Sequence, residues 1–123
     1  MSNLQDSILL STKKLIGFDE SYTVFDLDLM IHINTCFSTL TQLGVGPEDG
    51  FSITGPDEVW SDFLKGNKVI DSVKTYIYIK VKLVFDRPET GYAITSMENV
   101  AKEIEWRLNV QREEAKYVTS QSD

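Results

Sequence analysis

Two long apolar patterns, separated by a short break that contains a proline, dominate the second half of the chain. The first covers 69–85, the second covers 97–108, and the break between them spans 85–89 with Pro88 inside it. In the second pattern apolar residues recur every three or four positions, which is typical of one face of an amphipathic helix. Together the two patterns predict a helical hairpin, because a short connection makes two helices antiparallel neighbours.

The first of these patterns is ambiguous between a strand and a helix. Over 76–83 the side chains alternate as they do in a strand, and β-branched and aromatic residues favour that interpretation. The apolar residues of 69–85 also keep helical spacing, over 17 residues without an internal Gly, Pro or turn signal. Strands usually have roughly five or six residues, so the length predicts a helix.

Two further helices are predicted in the first third of the chain. The first begins near Asp6 and ends at Gly17, because glycine tolerates the left-handed conformation that often closes a helix. The second begins at an approximate capping box, Thr23 to Asp26, and ends at Gly44. Its apolar residues recur every three or four positions and are Leu27, Met30, Ile31, Phe37, Leu40 and Leu43.

Glycine and proline interrupt the helical patterns between Gly44 and Gly66, which makes this the predicted irregular segment and a candidate binding surface. Within it, 51–53 is a candidate for a brief extended piece. Pro56 suits the first turn of a short helix, with Asp57 and Glu58 near its N-terminus. The residues expected to face inward from that helix are Trp60, Phe63 and Leu64.

The last predicted helix begins at a capping box formed by Thr95 and Glu98. Beyond it, 113–123 is polar, which predicts either plain disorder or a segment that becomes ordered when it docks on a partner. The chain as a whole predicts an all-α single domain of four to five helices with a long irregular loop. Its predicted organisation is a helical domain over 1–112 and a flexible tail over 113–123.

Length and composition exclude several classes of protein. A chain of 123 residues with 41% hydrophobic content buries one modest core. The formal net charge of −7 argues against a protein that grips phosphate backbones over its whole surface. Cys36 is the single cysteine, so no intrachain disulfide is expected and a cytosolic location is the simplest one. Without a leader pattern or a long apolar run, we expect an unprocessed, soluble chain that does not contact membranes.

No set of residues predicts catalysis, a metal site or a cofactor. His32 and Cys36 lie four apart, but no second pair completes a metal site, and no cleft or oxyanion donor supports Cys36 as a nucleophile. Glu103 and Glu105 lie two apart on a helix and therefore make a poor acid/base pair. The segment 44–47 lacks the lysine and following helix of a phosphate-binding loop. We predict that the protein is not an enzyme.

Lysines and tyrosines along the fourth predicted helix raise the question of DNA contact. Lys74, Lys80 and Lys82, with Tyr76 and Tyr78, combine the basic and aromatic groups that bind nucleic acid strands. The same residue types more often lay their apolar parts over neighbours, or anchor packing and subunit contacts. The acidic balance of the chain favours the second interpretation.

The order of the elements and five stretches of sequence together resemble one known family. The stretches are 28–34, 42–47, 60–64, 73–81 and Ile104-Glu105-Trp106-Arg107-Leu108-Asn109. Over about residues 8–112 they resemble the head-tail connector proteins of tailed bacteriophages with long flexible tails. These motifs are structural, so they indicate the family and not a chemical mechanism.

The resemblance implies a small helical subunit of a ring, usually dodecameric in such families, that docks on the portal protein of the DNA-filled head. The ring would receive the next neck, head-completion or tail protein, and DNA would pass through its channel without sequence-specific binding. The implied location is the neck of the virion, and the host cytoplasm during assembly. A monomeric helical module that binds a regulatory partner through the loop around Trp60 is the alternative.

Aromatic residues supply most of the candidate interface anchors. Trp60 and Phe63 suit a place in the core and a place in an interface equally well, because aromatic side chains are enriched in both settings. The full set of interface candidates is Phe51, Trp60, Phe63, Tyr76, Tyr78, Trp106, Arg112 and Tyr117.

Overall fold

The structure is a computed structural model that describes residues 7–64 and 69–121, with the backbone alone described for 111–121. Within these ranges the regular elements are helices, and an isolated bridge joins Ser7 to Val59. The all-α prediction is therefore confirmed. The five helices are α1 (Ile8–Ile16), α2 (Asp26–Gln42), α3 (Trp60–Phe63), α4 (Ile70–Phe85) and α5 (Gly91–Gln121).

Helix α4 lies at the centre of the fold. It packs against α1, α2 and α5, whereas α5 packs mainly on α4. The segment that is ambiguous in the sequence is therefore a helix, as its length predicts. The apolar residues of 76–83 alternate as in a strand because α1, α2 and α5 pack on several sides of α4. Residues on more than one face of this helix are therefore buried. The buried residues of α4 are Val73, Tyr76, Ile77, Ile79 and Val81.

The core collects one face from each of the longer helices. Removing this apolar surface from water is the main favourable contribution to folding, at roughly 25 cal/mol per Å². The irregular segment closes one end of the core through Ile53, which is 2% exposed. The fully buried apolar side chains from α1 and α2 are Ile8, Leu9, Leu29, Ile33, Phe37 and Leu40.

Helix α1 begins and ends close to where the sequence predicts. Ser7 is its N-cap, and the Ser7 hydroxyl accepts a hydrogen bond from the Leu10 N–H at 3.2 Å. Asp6, the predicted starting point, lies outside the described residues. Gly17 closes the helix with φ +104°, and its N–H donates to the Lys13 and Lys14 carbonyls. The prediction of a glycine stop is confirmed, and the reason is the left-handed backbone at that position.

Both predicted capping boxes are wrong. Helix α2 begins at Asp26 without a side-chain cap, because the Asp26 carboxylate pairs with Lys13 Nζ at 2.9 Å. Helix α5 begins at Gly91, one turn before the predicted box. There the Thr90 hydroxyl accepts a hydrogen bond from the Ala93 N–H at 3.1 Å. A sequence match to a capping box does not show which side chain reaches the free N–H groups.

The short helix of the irregular segment also begins later than predicted. Pro56 precedes α3 by four residues, so it does not occupy the first turn. The Asp62 carboxylate instead accepts a hydrogen bond from the Val59 N–H at 2.9 Å. Of the residues expected to face inward, Trp60 and Phe63 are buried and Leu64 is half-buried.

The irregular segment is held by side-chain hydrogen bonds and by packing. The Asn34 side chain accepts from the Ile53 N–H at 2.7 Å and donates to the Ile53 carbonyl at 3.0 Å. One amide therefore satisfies the backbone groups that a neighbouring strand would pair. Phe51 packs on Phe37 with ring centroids 4.9 Å apart, and on Phe63 at 5.4 Å.

Helix α5 is about twice as long as the helix on which it packs. Its 31 residues span about 46 Å at 1.5 Å per residue, against about 24 Å for the 16 residues of α4. The backbone of α5 continues to Gln121, beyond the predicted domain boundary at residue 112. The expectation of a flexible tail over 113–123 is not tested by this and stays a prediction.

Candidate assembly surfaces

An apolar surface surrounds the connection between α1 and α2, and we call it the α1–α2 patch. Its side chains are between 38% and 69% exposed, although all are apolar or aromatic. A contiguous exposed apolar surface on a small soluble protein indicates a contact with another molecule. The residues of the α1–α2 patch are Tyr22, Val24, Phe25, Leu27 and Ile31.

Aromatic rings that contact one another lie beneath the exposed surface of this patch. The Phe18 ring lies 5.9 Å from the Phe25 ring, and the Phe25 ring lies 6.4 Å from the Phe85 ring, measured between centroids. His32 completes the group, with its ring edge-on to Phe85 at 5.3 Å. The patch therefore connects the start of α2 to the end of α4, and aromatic packing fixes its shape.

A buried ion pair holds the connection beneath the patch in place. The Lys13 side chain is completely buried, and its Nζ lies 2.9 Å from Asp26 Oδ1. The same Nζ donates a hydrogen bond to the Glu20 carbonyl at 3.0 Å. These contacts tie α1 to the connection and to the first residue of α2. A buried charge needs such partners, because burial without them costs several kcal/mol.

The outer face of α5 forms a second exposed surface, which we call the Trp106 face. Trp106 is 65% exposed, Tyr92 is 85% exposed and Val100 is 41% exposed. Helical periodicity places Tyr92 and Trp106 on the side of α5 opposite its buried residues, whereas Val100 lies at the margin of that side, one turn from buried Ile104. The α1–α2 patch lies on α2 and the connection before it, whereas the Trp106 face lies on α5, so they are two distinct surfaces.

The aromatic residues of the irregular segment lie in or against the core. Trp60 is 6% exposed and Phe63 is 3% exposed, while Phe51 is half-buried. The Trp60 indole N–H donates to the Ser11 hydroxyl at 3.0 Å, which satisfies its polar group inside the fold. Core packing is thus established for Trp60 and Phe63, and their contact with a partner stays a prediction.

The remaining interface candidates occupy different environments. Tyr76 is 1% exposed, and its hydroxyl donates to Glu105 Oε2 at 2.6 Å. Burial, then the hydrogen bond to Glu105, raises the pKa of Tyr76 well above its usual value. Tyr78 is half-buried. The side chains of Arg112 and Tyr117 lie outside the part of the chain whose side chains the structure describes.

The residues considered as catalytic candidates are buried or form contacts within the fold. Cys36 is buried, and burial raises the pKa of its thiol to about 11, which disfavours the reactive thiolate. The Glu103 carboxylate pairs with Arg107 at 2.8 Å, while Glu105 accepts from Tyr76. Among the described residues, no group of three or more His, Cys, Asp or Glu could hold a metal ion.

The described helices also lack a membrane-spanning segment, since none of them is both long and apolar enough to cross a bilayer.

The phage connector protein family has a sequence model that matches residues 8–115 of this chain. The chain belongs to that family. No curated protein and no solved structure matches the connector.

Family membership confirms the predicted resemblance to phage head-tail connectors, over nearly the same residues that carry it in the sequence. The connector is thus a structural protein of a bacteriophage. Sequence reasoning did not identify the α1–α2 patch or buried Lys13. One signal for the patch was present, because Phe18, Tyr22 and Phe25 crowd three aromatic residues into eight positions.

Proposed function

We propose that the connector assembles as a ring on the portal, joins the head to the neck or tail, and continues the DNA channel. Membership of the phage connector family supports this proposal. The observation that carries it is the presence of two distinct exposed apolar surfaces on one small domain. A protein that acted alone would gain nothing from exposing them, because apolar surface in water is costly.

Ring geometry requires two different contact surfaces on each subunit. In a head-to-tail assembly, one surface of a subunit meets a different surface of the next, and the ring closes only at a fixed rotation. The α1–α2 patch and the Trp106 face provide such a pair. Their supporting helices pack on a common α4, which keeps the angle between the two surfaces constant.

The charge of the connector suits a channel through which DNA slides. The formal net charge of −7 disfavours tight contacts with phosphates, each of which would slow a passing duplex. Two of the lysines considered for DNA contact are engaged within the fold. Lys82 pairs with Asp86 at 2.7 Å, and Lys80 lies over the Tyr76 ring at 5.9 Å. DNA passage without sequence-specific binding is the role that we propose.

The partners that we propose are the portal protein, the next neck, head-completion or tail protein, and further copies of the connector in a dodecameric ring. The proposed location is the neck of the virion, with assembly in the host cytoplasm. We propose no catalytic role, because the raised pKa of the buried Cys36 thiol disfavours the thiolate, and the Glu103 and Glu105 carboxylates are engaged with Arg107 and Tyr76.

Mixing the connector with the cognate portal ring and imaging the product by electron microscopy tests this function. The expected product is a second ring of density coaxial with the portal. Leu27→Glu and Trp106→Glu should each prevent it, since each places a charge on one exposed surface. Ser72→Glu, at an exposed polar position on α4, is the matched control and should assemble normally. A chain that stays monomeric and unbound in the presence of the portal contradicts the proposal.

Stoichiometry separates this function from the alternative. A ring requires many connector copies for each portal ring. A regulatory module would instead bind one partner molecule as a monomer, and a complex of one copy with one partner would favour that alternative.

A further inference from the structure

A groove opens beside Trp60, between α1 and α4, and we call it the Trp60 groove. Its volume is about 280 Å³. Leu15 is 56% exposed at its rim, although it is a large apolar residue. The side chains that line the groove are Ser11, Lys14, Leu15, Trp60 and Lys74.

The charges of the Trp60 groove differ from those of the rest of the protein. Among the described residues that line it are two lysines and no carboxylate, in a chain of net charge −7. Lys74 Nζ lies 5.6 Å from the centre of the Trp60 ring, which places a positive charge directly beside the apolar surface. Two other surface grooves include acidic residues among their lining, such as Glu20 in one and Glu98 in the other. The Trp60 groove therefore suits a segment that carries carboxylates beside apolar side chains.

The C-terminal half of α5 leaves the fold near the same end of α4. Because α4 and α5 are joined by the short connection 86–90, they run antiparallel, and α5 passes the beginning of α4 after about half of its length. Lys74 lies on the second turn of α4, close to that end. The backbone of α5 remains helical to Gln121. The backbone of this half of α5 therefore extends beyond the beginning of α4.

The sequence of this part of α5 has the composition that the groove requires. Glu113 and Glu114 precede Tyr117 and Val118 by four positions each. In a helix, that spacing brings the register positions of each acidic and apolar residue to the same side. Arg112 and Lys116, also four apart, occupy register positions on the opposite side.

We propose that the segment 110–121 of one connector copy docks in the Trp60 groove of a second copy. The acidic register positions 113 and 114 supply the charge that complements Lys14 and Lys74, and the apolar positions 117 and 118 suit the exposed Leu15 at the rim of the groove. This proposal rests on the ring function, and it names a contact between neighbouring subunits. It places the end of α5 against a surface of complementary charge.

Charge reversal on the full-length chain tests the contact. The groove variant carries Lys14→Glu and Lys74→Glu, and the helix variant carries Glu113→Lys and Glu114→Lys. Each variant alone should self-associate at least about tenfold more weakly than the wild type, because like charges then face each other. An equimolar mixture should recover association, since each variant supplies the charge that the other requires. Sedimentation velocity measures the assembly, with circular dichroism confirming that each variant is folded.

Fluorescence adds a measurement at the groove itself. Trp60 and Trp106 are the two tryptophans, so a Trp106→Phe background, used once sedimentation velocity shows that it associates like the wild type, isolates the emission of Trp60. Because Trp60 is 6% exposed and Lys74 lies beside its ring, association should change the intensity of that emission more than its wavelength. Lys80→Glu with Lys102→Glu is the matched control, because both lysines line a different groove. This control should leave association and emission unchanged.

Two results overturn the groove contact. One is a mixture of the two variants that stays as dissociated as each variant alone. The other is a wild-type chain that remains monomeric with constant Trp60 emission up to about millimolar concentration, a level at which even weak contacts form. Portal imaging separates this failure from that of the ring function. A wild-type ring on the portal with no rescue in the mixture refutes the groove contact alone, whereas rescue without portal binding refutes the portal-docking function.

Discussion

Replacing Gly46 by alanine should destabilise the connector through two separable effects. Gly46 has φ +86°, a left-handed conformation that costs an L-residue about 1–2 kcal/mol. An added Cβ would also overlap Phe63 Cε1 and lie 2.7 Å from Phe63 Cζ. Phe63 is 3% exposed and packs on Phe37 with centroids 4.6 Å apart, so its ring has little room to move. Overpacking of this kind costs about 1–3 kcal/mol.

The sum predicts a loss of about 2–5 kcal/mol in the free energy of unfolding. For a chain of this size, about 4 °C is lost per kcal/mol, so the melting temperature should fall by about 8–20 °C. Urea unfolding followed by circular dichroism gives the free energy, and thermal unfolding gives the melting temperature.

Two other glycines provide matched controls. Gly50 has φ +92° with open space around its Cβ position, so Gly50→Ala isolates the backbone cost of about 1–2 kcal/mol. Gly55 has open space without a left-handed backbone, so Gly55→Ala should change stability by less than about 0.5 kcal/mol. If Gly46→Ala proves no more destabilising than Gly50→Ala, the argument from the Phe63 contact is refuted.

Three further substitutions test the buried polar groups. Asp26→Asn leaves Lys13 buried without its counter-charge and should cost about 3 kcal/mol in urea unfolding; wild-type stability would show that the ion pair is unimportant. Tyr76→Phe removes the donor to Glu105 and should cost about 1 kcal/mol in the same assay. Because the pKa of Cys36 rises from 9.0 to about 11 on folding, stability should decrease from pH 9 to pH 11, and Cys36→Ala should reduce that decrease, leaving the part that comes from the raised pKa of Tyr76.

Periodicity and length predict the helices of the connector, but their starting points require the three-dimensional contacts. The side chains of 76–83 alternate as in a strand, but the apolar pattern over 69–85 is too long for a strand, and the segment is a helix. Thr23 and Thr95 open sequences that match capping boxes, yet Asp26 is drawn to Lys13 and α5 begins at Gly91. Capping depends on hydrogen bonds that are formed by neighbouring groups, and a local motif does not report those neighbours.

The candidate surfaces were less predictable than the helices. Trp60 and Trp106 are chemically the same, and aromatic residues are common both in cores and in interfaces. Trp60 is 6% exposed because it packs beside Phe37 of α2 and bonds to Ser11 of α1, whereas Trp106 is 65% exposed because it lies on the side of α5 away from α4. Phe25 and Leu27 fit a helix start in the sequence, and only the packing of α2 leaves them in solvent.

The sequence by itself determined the number and kind of the helices, the absence of an evident catalytic set, and the family to which the chain belongs. The tertiary structure decided which apolar residues are covered, how Lys13 is buried with Asp26, and where the exposed surfaces lie. The physical reason is one of range. Helix formation depends on residues three or four positions apart, while burial depends on which distant helix lies opposite.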